Sequence, residues 1–198
     1  MGKYPIGSLI LAGGHSSRMG TDKALLPIGG KPLLYRLVQQ LSKLTQEVTV
    51  SVGTSQREAI YRVCLGGLGE KVGYAVDRYP ESGPLSGLHA GLSSQLEGYL
   101  FVMACDMPNV SEELLEKLMS HKNSGANVIH VSGQPFHALY HTRALRSIEA
   151  ALQQGDYRLL GLLRSMDSFE VALPENCPSS LFANLNTPAD YEAYSAEG

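Results

Sequence analysis

Two short segments hold the residue types best suited to chemistry. The first is LAGGHSSRMGTDKALLP, residues 11–27. Gly13 and Gly14 carry no Cβ, so the backbone there can turn through positive φ and bring its amides close to a ligand. Arg18 and Lys23 add two cations to the same loop, and a multiply charged anion matches that combination. Neither common phosphate loop is present: Gly30-Lys31 is followed by Pro32, and no G-x-G-x-x-G spacing occurs here. Composition alone is equally compatible with an ordinary surface turn. The second segment is CDMP, residues 105–108, directly after the apolar run YLFVMA. An aspartate at the end of such a run is drawn out of water and needs compensation. Two readings stand side by side. Either Asp106 holds Mg²⁺, which commonly takes one or two protein carboxylates together with phosphates and waters, or it caps the following turn through amides near Asn109.

Strands must present these residues. Residues 8–12 (SLILA) read as a buried strand that stops at the glycine pair. After Pro32, leucines and valines at 33, 34, 37, 38, 41 and 44 recur at helical spacing. Residues 48–52 (VTVSV) alternate and are β-branched, which predicts a second strand, and residues 56–64 a short helix. A weak strand at 72–76 leads into the turn-rich stretch 77–87, which holds Asp77, Gly83 and Gly87; a helix is expected over 85–96. Residues 99–104 form the most continuous apolar run, as in a parallel strand buried on both faces. Ser111 followed by Glu112 and Glu113 predicts a capped helix through Leu118. Further strands are expected at 126–131, 135–140 and 168–171, with helices at 142–152, 157–164 and 187–194. Strands alternating with helices predict an α/β fold with an open, doubly wound, mostly parallel sheet in a single domain. In such sheets ligands bind outside the carboxyl ends of the strands, so the segments after residues 12, 76 and 104 are expected on one rim.

The chain has 198 residues, 16 Lys plus Arg against 19 Asp plus Glu, and a net charge of −3. That balance excludes a general basic field for nucleic acid or an acidic membrane. No apolar stretch approaches the roughly 18 residues of a membrane span. Cys64, Cys105 and Cys177 are scattered and form no C-x-x-C pair, which disfavours a disulfide framework or a zinc cluster. A cytoplasmic protein is expected. His137 and His141 are four apart, but in a strand-like segment that spacing does not make a metal pair.

The motifs together resemble the molybdenum cofactor nucleotidyltransferase family. The loop L-A-G-G-x-S-x-R-M-G-x-D-K-A-L from Leu11, the segment Gly83-Pro84-Leu85-Ser86-Gly87 with Gly91-Leu92, Cys105-Asp106-Met107-Pro108, and Asn184-Leu185-Asn186-Thr187-Pro188-Ala189-Asp190 match its signatures in order along nearly the whole chain. The resemblance implies a Rossmann-like nucleotidyltransferase fold, a nucleotide-binding half over residues 1–108 and an acceptor-binding half over 109–198. It implies transfer of GMP from GTP to molybdopterin or Mo-molybdopterin with release of pyrophosphate, using Mg²⁺, with other cofactor-assembly proteins as partners. Related readings are a cytidylyltransferase or a sugar-phosphate nucleotidyltransferase; a non-catalytic nucleotide-binding partner is the alternative of another class.

By the same resemblance, Leu11, Ala12, Gly13 and Gly14 hold the nucleotide through their backbone. Lys23 and Arg18 neutralise phosphates, and Asp106 holds the metal. Asp77, Gly83 and Gly87 lie against the nucleotide, and Asn184 and Asn186 near the metal or pterin side. His137 is expected to touch the acceptor; Arg158, apart from the resemblance, is expected there because a pterin phosphate needs a cation from this half of the chain. Where family members often have a base-contacting asparagine after the second strand, this chain reads Ser51-Val52-Gly53-Thr54, which moves the expected base contact to backbone or to Thr54.

Overall fold

Leu9, Ile10 and Leu11 are buried in β1 (Tyr4–Leu11), an interior strand with a hydrogen-bonded neighbour on each side and helix side chains over both faces. The computed structural model describes residues 3–14 and 21–197; Arg18 lies outside them. After β1 come a two-residue hairpin, β2 (Pro27–Ile28) with β3 (Lys31–Pro32), then α1 (Leu33–Leu44), β4 (Thr45–Ser51), α2 (Ser55–Leu65) and β5 (Gly73–Ala75). The chain continues through α3 (Pro84–Ser93), β6 (Tyr99–Ala104), α4 (Glu112–Ser120), β7 (Val128–Val131) and β8 (Ala138–His141). It ends with α5 (Leu145–Gln154), α6 (Leu159–Ser165), β9 (Ser168–Val171) and α7 (Pro188–Glu197).

Seven strands form one sheet in the order β5-β4-β1-β6-β8-β7-β9. Only β8 runs against the rest, pairing antiparallel with both β6 and β7. Its reversal follows from the short connection after β7, residues 132–137, because a parallel return needs a crossover of a dozen residues or more. The sheet is therefore mostly parallel, as expected, with one reversed strand that periodicity does not reveal.

Alternation along each strand sends side chains to opposite faces. Ile10, Val48, Val50, Phe101, Met103, Ile129 and Leu139 face one cluster, with the leucines of α1 and α4 and Tyr61 of α2. Leu9, Leu11, Leu100, Val102, Val128 and Tyr140 face the other, with Leu85, Leu88 and Leu92 of α3 and Ile148 of α5. Helices thus cover both faces, which is the doubly wound arrangement. From β1 the chain builds outward through β4 and β5, then crosses to the other side of β1 to lay down β6. The gap between β1 and β6 is the topological switch point, where a ligand crevice opens.

Several boundaries differ from the sequence reading; β1 and β4 begin earlier, at Tyr4 and Thr45, and three further differences have a visible local cause. Helix α3 stops at Ser93, short of residue 96, because the Ser94 hydroxyl donates back to the Gly91 carbonyl and the chain turns away; Leu96 is left 92% exposed. The strand expected from residue 135 begins at Ala138, since His137 adopts φ 54 and interrupts the extended backbone. The helix expected from residue 142 opens as a 3-10 turn before α5 starts at Leu145. Among the described residues no helix is long and apolar enough to cross a membrane.

Candidate active site

The ladder continues past the strand ends and fixes the rim. The Ala12 amide donates to the Ser51 carbonyl, the Cys105 amide to that of Leu11, and the Val52 amide to that of Ala75, each at 3.0 Å. The segments after β1, β5 and β6 therefore do lie along one edge. A cleft opens there, lined by Leu11, Ala12, Gly14, Asp22, Lys23, Ala24, Pro84, Ala104, Cys105, Asp106 and Phe136.

Lys23 begins a 3-10 turn, Lys23–Leu25, that Asp22 caps by accepting from the Ala24 amide at 3.1 Å. From there the Lys23 Nζ reaches Asp106 Oδ2 at 3.0 Å and Asn186 Oδ1 at 2.7 Å. The ion pair is mostly shielded, with 18% and 24% of the two side chains exposed, so it is stronger than a surface pair. Asp106 sits where β6 gives way to a turn, and its carbonyl accepts from the Leu185 amide at 2.8 Å. That bond draws the C-terminal segment back over the rim. Asn186 is fixed in turn by Asp190, whose carboxylate accepts from the amides of Asn186 and Thr187, while the Thr187 hydroxyl accepts from the Asp190 amide. This reciprocal cap starts α7, and hydrogen bonding from Thr187 holds the Asp190 carboxyl below its ordinary value.

Asp77 follows β5 on the flank of the cleft. Its Oδ1 accepts from the Ser51 hydroxyl at 3.1 Å. Desolvation raises its carboxyl above the usual range, opposed by the hydrogen bond from Ser51. Gly13 lies beneath: a Cβ there would come within 3.0 Å of the Gly53 nitrogen and 3.3 Å of Asp77 Oδ2. Burial first, then the neighbouring Asp106 charge, pushes the Cys105 thiol well up, so it stays neutral and acts as packing under the carboxylate.

The structure brings Leu11, Ala12, Gly14, Lys23 and Asp106 to one cleft, with Gly13 below it and Asn186 joined through Lys23. Other expected site residues are placed differently. Gly87 packs against Ser51 and Leu11 rather than opening space for a ligand, and Gly83 supplies the positive φ before Pro84 without crowding. The Asn184 amide donates to the Phe182 carbonyl two residues back. His137 is fully buried, its Nε2 on the Asn109 carbonyl at 2.7 Å and its ring edge-on to Phe101 and Phe182, so it packs the core. Burial also lowers its pKa. Arg158 pairs with Asp156 on the surface, away from the cleft lining. The Thr54 hydroxyl is engaged as the N-cap of α2, accepting from the Arg57 amide at 3.3 Å. Two residues outside every motif, Arg57 and Tyr61, contact the carbonyls of residues 12–14.

A lysine and an aspartate that follow adjacent parallel strands meet above the switch point, where α/β sheets of this kind bind their ligands. The chain belongs to the MobA-like NTP transferase family, whose model matches residues 8–169. It is similar to a molybdenum cofactor guanylyltransferase of Vibrio atlanticus, 31% identical over 92% of this chain and 91% of the relative. A probable molybdenum cofactor guanylyltransferase of Natronomonas pharaonis is 32% identical over 93% and 94%. The fold superposes on the crystal structure of molybdopterin-guanine dinucleotide biosynthesis protein A from Archaeoglobus fulgidus with a TM-score of 0.83 at 22% identity, covering 97% of this chain and 98% of that one.

Proposed function

We propose that this chain transfers GMP from GTP to molybdopterin or Mo-molybdopterin, releasing pyrophosphate. The carrying observation is the 3.0 Å contact of Lys23 and Asp106, which sets a cation and a hard oxygen ligand side by side at the rim of β1 and β6. The relatives named guanylyltransferases, matched over almost their whole length, supply the base and the acceptor.

In this reaction an oxygen of the acceptor's terminal phosphate bonds to the α-phosphorus of GTP. The bond from that phosphorus to the bridging oxygen breaks, and the electron pair leaves with pyrophosphate. The attacking oxygen is already anionic, so alignment and charge neutralisation carry the catalysis and no strong base is required. Lys23 neutralises charge on the triphosphate from its seat between Asp106 and Asn186. Amides of Gly13 and Gly14 cradle the phosphates, and Arg18, in the same loop, adds a second cation. Asp77, at the flank, lies against the nucleotide.

A single shielded carboxylate flanked by a side-chain amide fits Mg²⁺ held jointly by protein, phosphates and water rather than a closed protein cage; among the described residues no cluster of three His, Cys, Asp or Glu could form such a cage. Asp106 would be its ligand, and the ion would supply charge neutralisation on the phosphate oxygens. The chain then works as one nucleotidyltransferase domain, with residues 1–108 gripping the nucleotide and 109–198 serving the acceptor, and Asn186 linking the two.

Calorimetric titration with GTP, CTP and ATP in the presence of Mg²⁺ tests the reading, followed by pyrophosphate release with molybdopterin. GTP preference with turnover is expected. Preference for CTP overturns the base assignment, binding without turnover overturns the enzymatic one, and binding of none of the three overturns the nucleotide site.

A further inference from the structure

We infer that Arg57, with Tyr61 one turn further on, is a positioning residue that sets the phosphate-facing backbone and Lys23 of the proposed transferase; the inference rests on that functional reading. Arg57 and Tyr61 are four apart in α2 and so share one face of the helix. The Arg57 Nη1 donates to the Gly13 carbonyl at 2.7 Å and to the Gly14 carbonyl at 3.1 Å. The Tyr61 hydroxyl lies 3.0 Å from the Ala12 carbonyl. Both side chains also meet a residue beyond the glycine pair. Arg57 Nε is 3.4 Å from Asp22 Oδ2, and the Tyr61 hydroxyl 2.8 Å from the same oxygen. One helix face thus ties the end of β1 to the residue that caps the turn carrying Lys23.

The consequence follows from peptide geometry. In a planar trans peptide the carbonyl and the next N–H point in opposite directions. Drawing the Ala12 and Gly13 carbonyls onto α2 turns the amides of Gly13 and Gly14 away from it. The described lining of the cleft comes from β1, β6, the first residue of α3 and the loops that follow β1, β6 and β7, with none from α2, so those amides are free to face it. Tyr61 is fully buried, and burial together with the Asp22 charge pushes its phenol far up, so it remains a protonated donor. Arg57 suits its task because a planar guanidinium presents several donors in fixed directions, whereas an ammonium is a point charge on a flexible stem.

The test compares Arg57→Gln, Arg57→Lys and Tyr61→Phe by GTP calorimetry with Mg²⁺, steady-state kinetics and thermal unfolding. A structural role alone lowers stability and the active fraction without moving KM. Positioning raises Kd and KM for GTP by about ten- to a hundredfold in Arg57→Gln, the loss of a charge-assisted contact, while KM for molybdopterin stays within about twofold. Arg57→Lys is expected to fall with Arg57→Gln, since it keeps the charge and loses the fork. Wild-type KM in Arg57→Gln overturns the inference, as does full rescue by Arg57→Lys, which would make Arg57 a long-range charge only. Should the wild-type chain bind no nucleotide, the functional reading fails by itself. The amide resonances of Gly13 and Gly14 in nitrogen-labelled protein then decide the clamp: they shift in Arg57→Gln if it holds, and unmoved resonances overturn it.

Discussion

Replacing Gly87 by alanine tests how tightly the rim is built. A Cβ at residue 87 would collide with Ser51 Oγ and lie 3.2 Å from Ser51 Cβ and 3.3 Å from Leu11 Cδ2. The Ser51 hydroxyl must then leave its place, and with it the hydrogen bond to Asp77. Overpacking costs about 2 kcal/mol in the usual range of 1–3. Loss of a hydrogen bond to a half-buried carboxylate adds about 1.5 kcal/mol, and the better helix propensity of alanine returns about 0.75 kcal/mol. The net is about 3 kcal/mol, or a melting temperature lower by about 6–12 °C for a chain of this size. Ser51→Ala alone loses only the hydrogen bond, about 1.5 kcal/mol. With both substitutions the obstructing oxygen is gone, and the pair is expected to cost about 1 kcal/mol, less than Gly87→Ala by itself. Urea unfolding of the four proteins reads this cycle directly. Additivity within about 0.5 kcal/mol would refute the reasoning, since it would mean that Ser51 and residue 87 do not compete for the same space.

Asp106→Asn is expected to keep its circular dichroism spectrum, with a lower melting temperature from loss of the Lys23 ion pair, while pyrophosphate release falls by about 10²–10³-fold, the scale of losing one electrostatic stabiliser; undiminished turnover would remove Asp106 from the chemistry. For Asp77, burial sets the folded pKa above the ordinary 3.8. Over that window the native state holds a proton that the unfolded chain releases, so this carboxyl's contribution to stability is full below about 3.8 and lost as pH rises through the folded value. Asp77→Asn should therefore gain stability relative to the wild type as pH rises from acid toward neutral, and a pH-independent difference in urea midpoints would contradict the assignment.

Much of this was legible in the residues, for definite reasons. The run YLFVMA gives β6 its bounds because every residue is apolar and the flanks are not. Ser111 gives α4 its start because its hydroxyl accepts from the Leu114 amide. Lys23 and Asp106 were readable as partners once both were seen to follow parallel strands. The direction of β8 was not, since alternation is the same whichever way a strand runs. Nor does the chain around His137 reveal its left-handed φ or the packing of its ring against Phe101 and Phe182. Arg57 and Tyr61 left no signal either, because their partners lie 44 and 49 positions away and no local spacing records such a contact. Gly87 signals a close approach, and within the protein the neighbour is Ser51.

The bond from the Asp106 carbonyl to the Leu185 amide, with Asn186 beside it, gives the polypeptide a definite order of assembly. Chains fold from the amino end as they are made. Every strand of the sheet exists once Val171 has left the ribosome, yet Lys23 at that moment has Asp106 and not Asn186, which is encoded 163 positions after the lysine. A growing chain thus displays a finished rim before it owns a finished pocket, and the turn that carries Asn186 is the latch that arms it.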